Sequence, residues 1–176
     1  TVTKAADLKD EVYNLPENID VPSAFDGKTI TLTAGADVKT GTEKGDVFNS
    51  YDFVSQLTGN PMSTLNSFDT LDGKGGKDSL NILTELEIGK AGNAAIASPV
   101  LNLTSIETVN VKSAVPLTLN GSNWEGTNTL NVTQANAATL TAAATTDVNV
   151  SGITINNGDI SVKGGKNIVI NDAKAG

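Results

Sequence analysis

The chain has 176 residues, with twenty acidic side chains against twelve lysines, no arginine, histidine or cysteine, and a formal net charge of −8. That balance excludes a nucleic-acid surface, which needs a basic face and leans on arginine for base readout. It also removes disulfide staples, thiolate zinc sites and every nucleophile system built on a histidine base.

Aromatics make up 4% of residues and hydrophobics 38%, so the core has to come from Val, Ile, Leu and Ala. Such residues pack well on the pleated surfaces of stacked short strands. The length suffices for one domain with a real core, or two small units sharing one. No run of about eighteen apolar residues occurs, so no span of a membrane is expected. The chain starts at Thr with no signal-peptide pattern and stops at N-D-A-K-A-G without a cap, which reads as a segment of a longer protein.

In chain order, Ala5 to Asn14 carries Leu8 and Val12 at helical spacing among good helix formers, and Pro16 ends it. Residues 1–28 are therefore expected to be a linker with one short helix. Thr29 to Thr33 (T-I-T-L-T) alternates strictly and predicts a strand. Asp37 and Asp46 follow, nine residues apart, and Val47-Phe48 make a short apolar stub. The stretch 49–67 breaks the pattern. Tyr51, Phe53, Val54 and Leu57 are placed on one face of a helical turn closed by Gly59-Asn60-Pro61, as an insertion packed by its aromatics. Asp69 and Asp78 repeat the nine-residue spacing and lead into a strand at Leu80 to Leu83, which closes a region of acidic turns over 29–83. A Gly- and Ala-rich connection of low definition fills 84–98.

From Leu101 the chain becomes a series of apolar-polar-apolar triplets, beginning at 101, 109, 117, 130, 140, 148, 153, 160 and 168. Strands so short are poor material for a hairpin sandwich. A parallel β-solenoid, burying one side of each triplet and leaving Asn or Thr outward, fits better over 84–176. Trp124 lies where the interval stretches and is expected to plug the core end rather than to hold a ligand.

Nine is the period of a calcium-binding β-roll, one glycine loop plus one short strand. Calcium takes six to eight hard oxygens, and a glycine turn can aim successive carbonyls inward while an aspartate supplies the carboxylate. The turn G-K-G-G-K-D (73–78) is close to that repeat, with Lys74 in place of its second glycine; G-T-E-K-G-D (41–46) is more degenerate, with Glu43 and Lys44 inside the loop. Two such turns must stack to complete one shell, so the pairing of Asp37 with Asp46, and of Asp69 with Asp78, carries the expectation of bound Ca2+.

The blocks G-T-E-K-G-D-V-F (41–48), S-F-D-T-L-D-G-K-G-G-K-D-S-L-N-I (67–82), S-I-E-T-V-N-V (105–111), L-T-A-A-A-T-T-D-V-N-V (140–150) and V-K-G-G-K-N-I-V-I-N-D-A (162–173) resemble the recurring phrases of RTX-type bacterial surface-layer (S-layer) proteins. The resemblance spans about residues 30–176. It implies a secreted structural protein, exported from Gram-negative bacteria by type I secretion, that folds as a β-roll on meeting calcium and self-assembles into a coat on the cell surface. Cell-surface polysaccharide is a further partner that the resemblance leads one to expect. By position, the implied calcium-loop residues are Gly73, Gly75, Gly76 and Asp78, with Gly41, Gly45 and Asp46 in the degenerate turn and Asp37 and Asp69 from the turns before. Type I-secreted adhesins that bind a glycan or a host surface share these turns and form the alternative.

An enzyme is not expected. Without histidine, a carboxylate pair or a lysine base would have to carry the chemistry. None of Glu125, Asp147, Asp159 and Asp172 stands out from turn-solvating carboxylates. The sequons at Asn102 and Asn131 match glycosylation acceptors but read better as the polar members of strand triplets.

Overall fold

The computed structural model describes residues 27–84, 101–113, 115–135, 137–152 and 159–171. The helix expected at Ala5 to Asn14, most of the 84–98 connection and the triplet at 153 lie outside them. Within the described residues the regular elements are all strands: β1 (Thr29–Thr31), β2 (Val38–Thr42), β3 (Val47–Val54), β4 (Pro61–Ser63), β5 (Thr70–Lys74), β6 (Ser79–Thr84), β7 (Asn102–Thr104), β8 (Thr108–Ser113), β9 (Leu117–Gly121), β10 (Thr129–Thr133), β11 (Ala138–Ala142), β12 (Asp147–Ser151), β13 (Ile160–Gly164) and β14 (Ile168–Asn171).

The strands form two faces. One is a sheet in the order β1-β3-β6-β8-β10-β12-β14, with β4 folded back on β3; the other consists of two three-stranded sheets, β2-β5-β7 and β9-β11-β13. Every pairing is parallel except β3 with β4. This is a parallel β-solenoid of short strands, each coil contributing one strand to each face. Corresponding residues on successive coils are 18, 32, 29, 21, 18 and 20 positions apart. The nine-residue spacing of the aspartate pairs is thus half of the shortest coil.

Alternation makes the core. Phe48, Leu80, Val109, Leu130 and Val148 share one inward register row, and none is more than 1% exposed. Ile82, Val111, Val132 and Val150 form the next row, and Leu117, Leu119 and Leu140 line the opposite face. Each such side chain contributes about 1.5–3 kcal/mol on burial, but only once a neighbouring coil covers it. Outward, the asparagines of the triplets join edge to edge. Asn81 Nδ2 donates to Asn49 Oδ1 (3.0 Å), Asn110 to Asn81 (3.0 Å), Asn131 to Asn110 (2.8 Å) and Asn149 to Asn131 (2.9 Å). Asn131, one of the two sequon asparagines, is a rung of that ladder.

Three expectations are corrected. The first strand ends at Thr31, because Thr33 turns to bond Asp37. Val47-Phe48 is no stub and Tyr51 to Leu57 no helical turn: β3 runs on to Val54 and returns through β4 as a hairpin. The β-branched and aromatic content of N-S-Y-D-F-V favours strand, and Gly59, at φ 69°, closes the turn. Nor do the apolar residues of this arm pack inward, since Leu57 is 94% and Val54 57% exposed. Trp124, in turn, is buried within the main core rather than over its end. It lies against Gly121, next to the isolated bridge of Glu125 with Thr104, at the seam between the two small sheets.

Candidate metal centre

The two faces meet along acidic edges. Lys28, Asp46, Asp78, Glu107 and Asn128 each immediately precede the first paired residue of their strand in the large sheet, so parallel register stacks them in one column. Asp37 and Asp69 stack likewise ahead of β2 and β5 on the other edge. The structure therefore redistributes the expected pairs. Asp37 neighbours Asp69 and Asp46 neighbours Asp78, whereas the partners nine residues apart sit at opposite ends of a single strand. A period of nine places successive aspartates on alternate edges, because one strand of about five residues and one turn cross the width of the solenoid.

Each carboxylate holds the coil before it. The Lys28 N–H donates to Asp46 Oδ1, the Asp46 N–H to Asp78 Oδ1 (2.6 Å), and the Asp78 N–H to Glu107 Oε2 (2.7 Å). On the other edge the Asp37 N–H donates to Asp69 Oδ1 (2.9 Å). The second oxygen usually closes its own turn. Thr33 N–H donates to Asp37 Oδ2 (2.6 Å), Thr42 N–H to Asp46 Oδ2 (2.5 Å) and Asn66 N–H to Asp69 Oδ2 (2.7 Å).

Asp78 departs from this arrangement. The N–H four residues before it belongs to Lys74, which takes φ 72° and donates instead to Asp72 Oδ1 (3.0 Å). Asp78 Oδ2 is left buried with no hydrogen-bond partner, in a residue only 2% exposed. Beside it a Cβ on Gly73 would collide with both that oxygen and the Ser105 carbonyl. The niche is lined by oxygen and kept open by the absence of a side chain.

Protonation follows the same geometry. Burial opposes the charge of Asp37 and Asp46. Donation from Thr33 and the ion pair with Lys39 outweigh it at Asp37, and the Lys28 and Thr42 amides do so at Asp46, holding both carboxyls below their ordinary value. Burial dominates at Asp69 and raises it, with the charge of Asp37 adding. At Asp78, burial and the negative charges of Glu107, Asp46 and Asp72 exceed the help of the Asp46 amide, and the carboxyl is pushed up to about 6.

These observations decide which predicted ligands suit a cation. Asp46 and Asp69 already direct both oxygens at backbone N–H groups, and Asp37 directs one at the Thr33 N–H and the other at the Thr33 hydroxyl and the Lys39 ammonium, so donors occupy the approach an ion would take and all three fit poorly as primary ligands. Asp78 fits, with one free buried oxygen, a neighbouring carbonyl and unbalanced negative charge. Among the described residues no three carboxylates converge on one point, so an ion there would draw the rest of its oxygens from carbonyls and solvent.

The glycines have a separate role, that of letting turns stack. A Cβ on Gly41 would strike Asp46 Oδ2, one on Gly45 would come 2.8 Å from the Lys77 carbonyl, one on Gly75 2.8 Å from Glu43 Oε2, and one on Gly76 would meet the Lys44–Gly45 backbone. The turns at 41–46 and 73–78 are thus brought together by backbone contact.

Sequence reasoning missed Glu107, the clamping donors Thr33, Thr42 and Asn66, and the asparagine ladder. A signal was present. D-V-F-N, D-S-L-N and E-T-V-N share the pattern acid, any residue, apolar, Asn, starting at Asp46, Asp78 and Glu107. No protein-family model matches the chain, and no curated protein matches it significantly. Among the described residues no helix is long and apolar enough to cross a membrane.

Proposed function

We propose that the chain is a non-catalytic, calcium-stiffened solenoid module of a secreted bacterial surface-layer protein, one that folds outside the cell and associates with further copies to form a coat. The observation that carries this reading is the buried, partnerless Oδ2 of Asp78 within the Asp46–Asp78–Glu107 column. Three acidic side chains stacked at about the spacing of parallel strands, ~4.8 Å, repel one another, and a divalent ion at the open oxygen relieves that repulsion. A site with so few protein carboxylates suits a dissociation constant of roughly 10⁻⁴–10⁻³ M, the range of extracellular calcium modules. Such a site stays empty where calcium is scarce and fills on export. The RTX-like blocks support the same assignment.

Calorimetric titration of the chain with calcium, and with magnesium as control, tests the site. One saturable calcium event with a dissociation constant below about 1 mM, weakened at least tenfold in Asp78→Asn, is expected. Light scattering of the same samples follows association. Calcium that leaves the wild type unliganded at about 10 mM would remove the metal from the proposal, and growth in particle size that ignores calcium and chelator alike would remove the coat.

A further inference from the structure

The outer face of the large sheet carries a groove of about 380 Å³ that the acidic edges do not touch. Its floor and walls come from two outward rows at right angles to the strands. Asn49, Asn81 and Asn110 form one, and Tyr51, Leu83 and Lys112 the other, each set in register on β3, β6 and β8. We propose that this groove is a glycan-binding site that takes an extended, uncharged oligosaccharide lying along the stacking axis.

The argument starts from what each row offers. An asparagine amide has two N–H donors and two carbonyl lone pairs. Within the ladder Asn81 and Asn110 each give one N–H to the preceding asparagine and accept one from the next. A second donor and a second acceptor per rung remain, repeated at the parallel-strand spacing of about 4.8 Å. That spacing is comparable with the rise of one pyranose unit in an extended chain. Alternating donors and acceptors on a fixed pitch suit vicinal hydroxyls.

The second row supplies the apolar half that a sugar's C–H face requires. Tyr51 is 43% and Leu83 53% exposed, two large apolar side chains facing solvent beside the amide row. The Tyr51 ring is set in place by an edge contact with Phe53, with centroids 6.4 Å apart and planes at 61°. An aromatic ring already held in position loses little freedom on contact with ligand. A mostly apolar groove with a few placed polar groups is the usual form of a small-ligand site.

Charge and hydrogen bonding select the occupant. None of the lining residues is acidic, and Lys112 is the one charged group among them. On a chain of net charge −8 a polyanion is repelled as it approaches, and a single lysine does not hold a polycation away from the acidic edges. A peptide strand would need free backbone groups, but β3, β6, β8 and β10 have theirs in the ladder. A lipid tail has no use for an amide rail. Hydroxyl groups on an apolar ring match both rows at once.

The proposal is independent of calcium. The test therefore runs in chelator and again in calcium, using the whole chain and three defined neutral probes: cellohexaose, laminarihexaose and mannohexaose, with oligogalacturonate as charged control. Calorimetry is expected to show saturable binding of at least one neutral hexamer with a dissociation constant of about 1 mM or tighter, equal in both conditions. Tyr51→Ala and Asn81→Leu should each weaken it at least tenfold, and Thr118→Ala, on the opposite face, should leave it unchanged. Melting curves establish that the variants are folded. As a second readout, the side-chain amide resonances of Asn81 and Asn110 in the wild type should shift on titration. Absence of saturation with all three hexamers overturns the proposal, as does binding that Tyr51→Ala leaves intact, or a preference for oligogalacturonate.

Discussion

Replacing Asp78 by Asn separates the cost of its buried charge from the benefit of an ion. In the wild type Oδ1 accepts the Asp46 N–H at 2.6 Å while Oδ2 has no donor. Asparagine keeps the first bond through its carbonyl and places an N–H₂ group in the niche beside the Ser105 carbonyl. The wild-type carboxyl is pushed from 3.8 to about 6, so at pH 7.5 the folded state carries a charge that destabilises it by on the order of 2–3 kcal/mol. Without calcium, Asp78→Asn should therefore be the more stable protein. Its melting temperature should rise by several degrees, since about 1 kcal/mol moves a domain of this size by about 2–4 °C. With calcium the order of effects changes. At a dissociation constant of roughly 10⁻⁴–10⁻³ M, about 2 mM calcium adds about 0.6–1.8 kcal/mol to the wild type and, with binding weakened tenfold or more, at most about 0.1–0.6 kcal/mol to the variant. Differential scanning calorimetry in chelator and in calcium, on both proteins, gives all four numbers. A variant that gains as much from calcium as the wild type refutes the assignment of the ion to Asp78. A variant less stable than the wild type in chelator refutes the electrostatic argument itself.

Stability in chelator should depend on pH with opposite signs at the two kinds of aspartate. Asp78 and Asp69 have raised values, so their folded forms bind protons more tightly than the unfolded chain, and stability rises as pH falls from 7.5 through about 6. Asp37 and Asp46 have lowered values, so the stability they contribute is present above 3.8 and lost as pH falls through their folded values. Urea midpoints should peak between about pH 4 and 6, and Asp78→Asn should flatten the limb above 5.5. Gly73→Ala should cost about 2–4 kcal/mol by urea denaturation, because its Cβ meets the Ser105 carbonyl. Gly35→Ala, whose Cβ would meet nothing within 4 Å, should lie within about 0.5 kcal/mol of the wild type or slightly above it. Phe68 holds φ 74° while 71% exposed, so Phe68→Gly should stabilise by about 0.5–1 kcal/mol in the same assay. Hydrogen exchange should show chelator loosening β2, β3, β5 and β6 while leaving β9 to β12 protected.

The triplets after residue 101 were legible because alternation over three or four residues has one stable outcome once hairpins are excluded, and the expected burial of their outer members holds from Leu101 to Val150. The acidic turns were legible as turns but not as neighbours. Spacing along the chain gave the half-coil, whereas adjacency depends on coil length. That length varies from 18 to 32 residues, the longest coil being the one that the β3–β4 arm interrupts. The arm was misread because a short apolar run fits either a helix face or a strand, and its partner Pro61-Met62-Ser63 lay hidden in what looked like loop. Glu107 lies outside any Asp and Gly spacing because a glutamate, with its longer side chain, meets the amide of the preceding coil from a shorter loop.

The column also changes character along the stack, which limits where a metal can matter. From β3 to β12 the position before each strand of the large sheet is Asp46, Asp78, Glu107, then Asn128, then Thr146. Carboxylates give way to an amide and then a hydroxyl. In the later coils neutral groups also link the turns, with Thr127 Oγ1 donating to the Ile106 carbonyl and Thr146 Oγ1 to the Thr127 carbonyl, both at 2.9 Å, beside the Asn167 amide that donates to Asp147 Oδ1 at 2.7 Å. Such bonds need no counter-charge and contribute about 1 kcal/mol each at any calcium concentration. The early coils use charge-assisted bonds, which are stronger singly but accumulate repulsion when stacked. One buried oxygen in that series is left without a donor, at the middle carboxylate, where acidic neighbours lie on both sides. On the proposal of a bound calcium ion, a cation placed there would offset the repulsion between Asp78 and its acidic neighbours, and the early coils alone would respond to calcium.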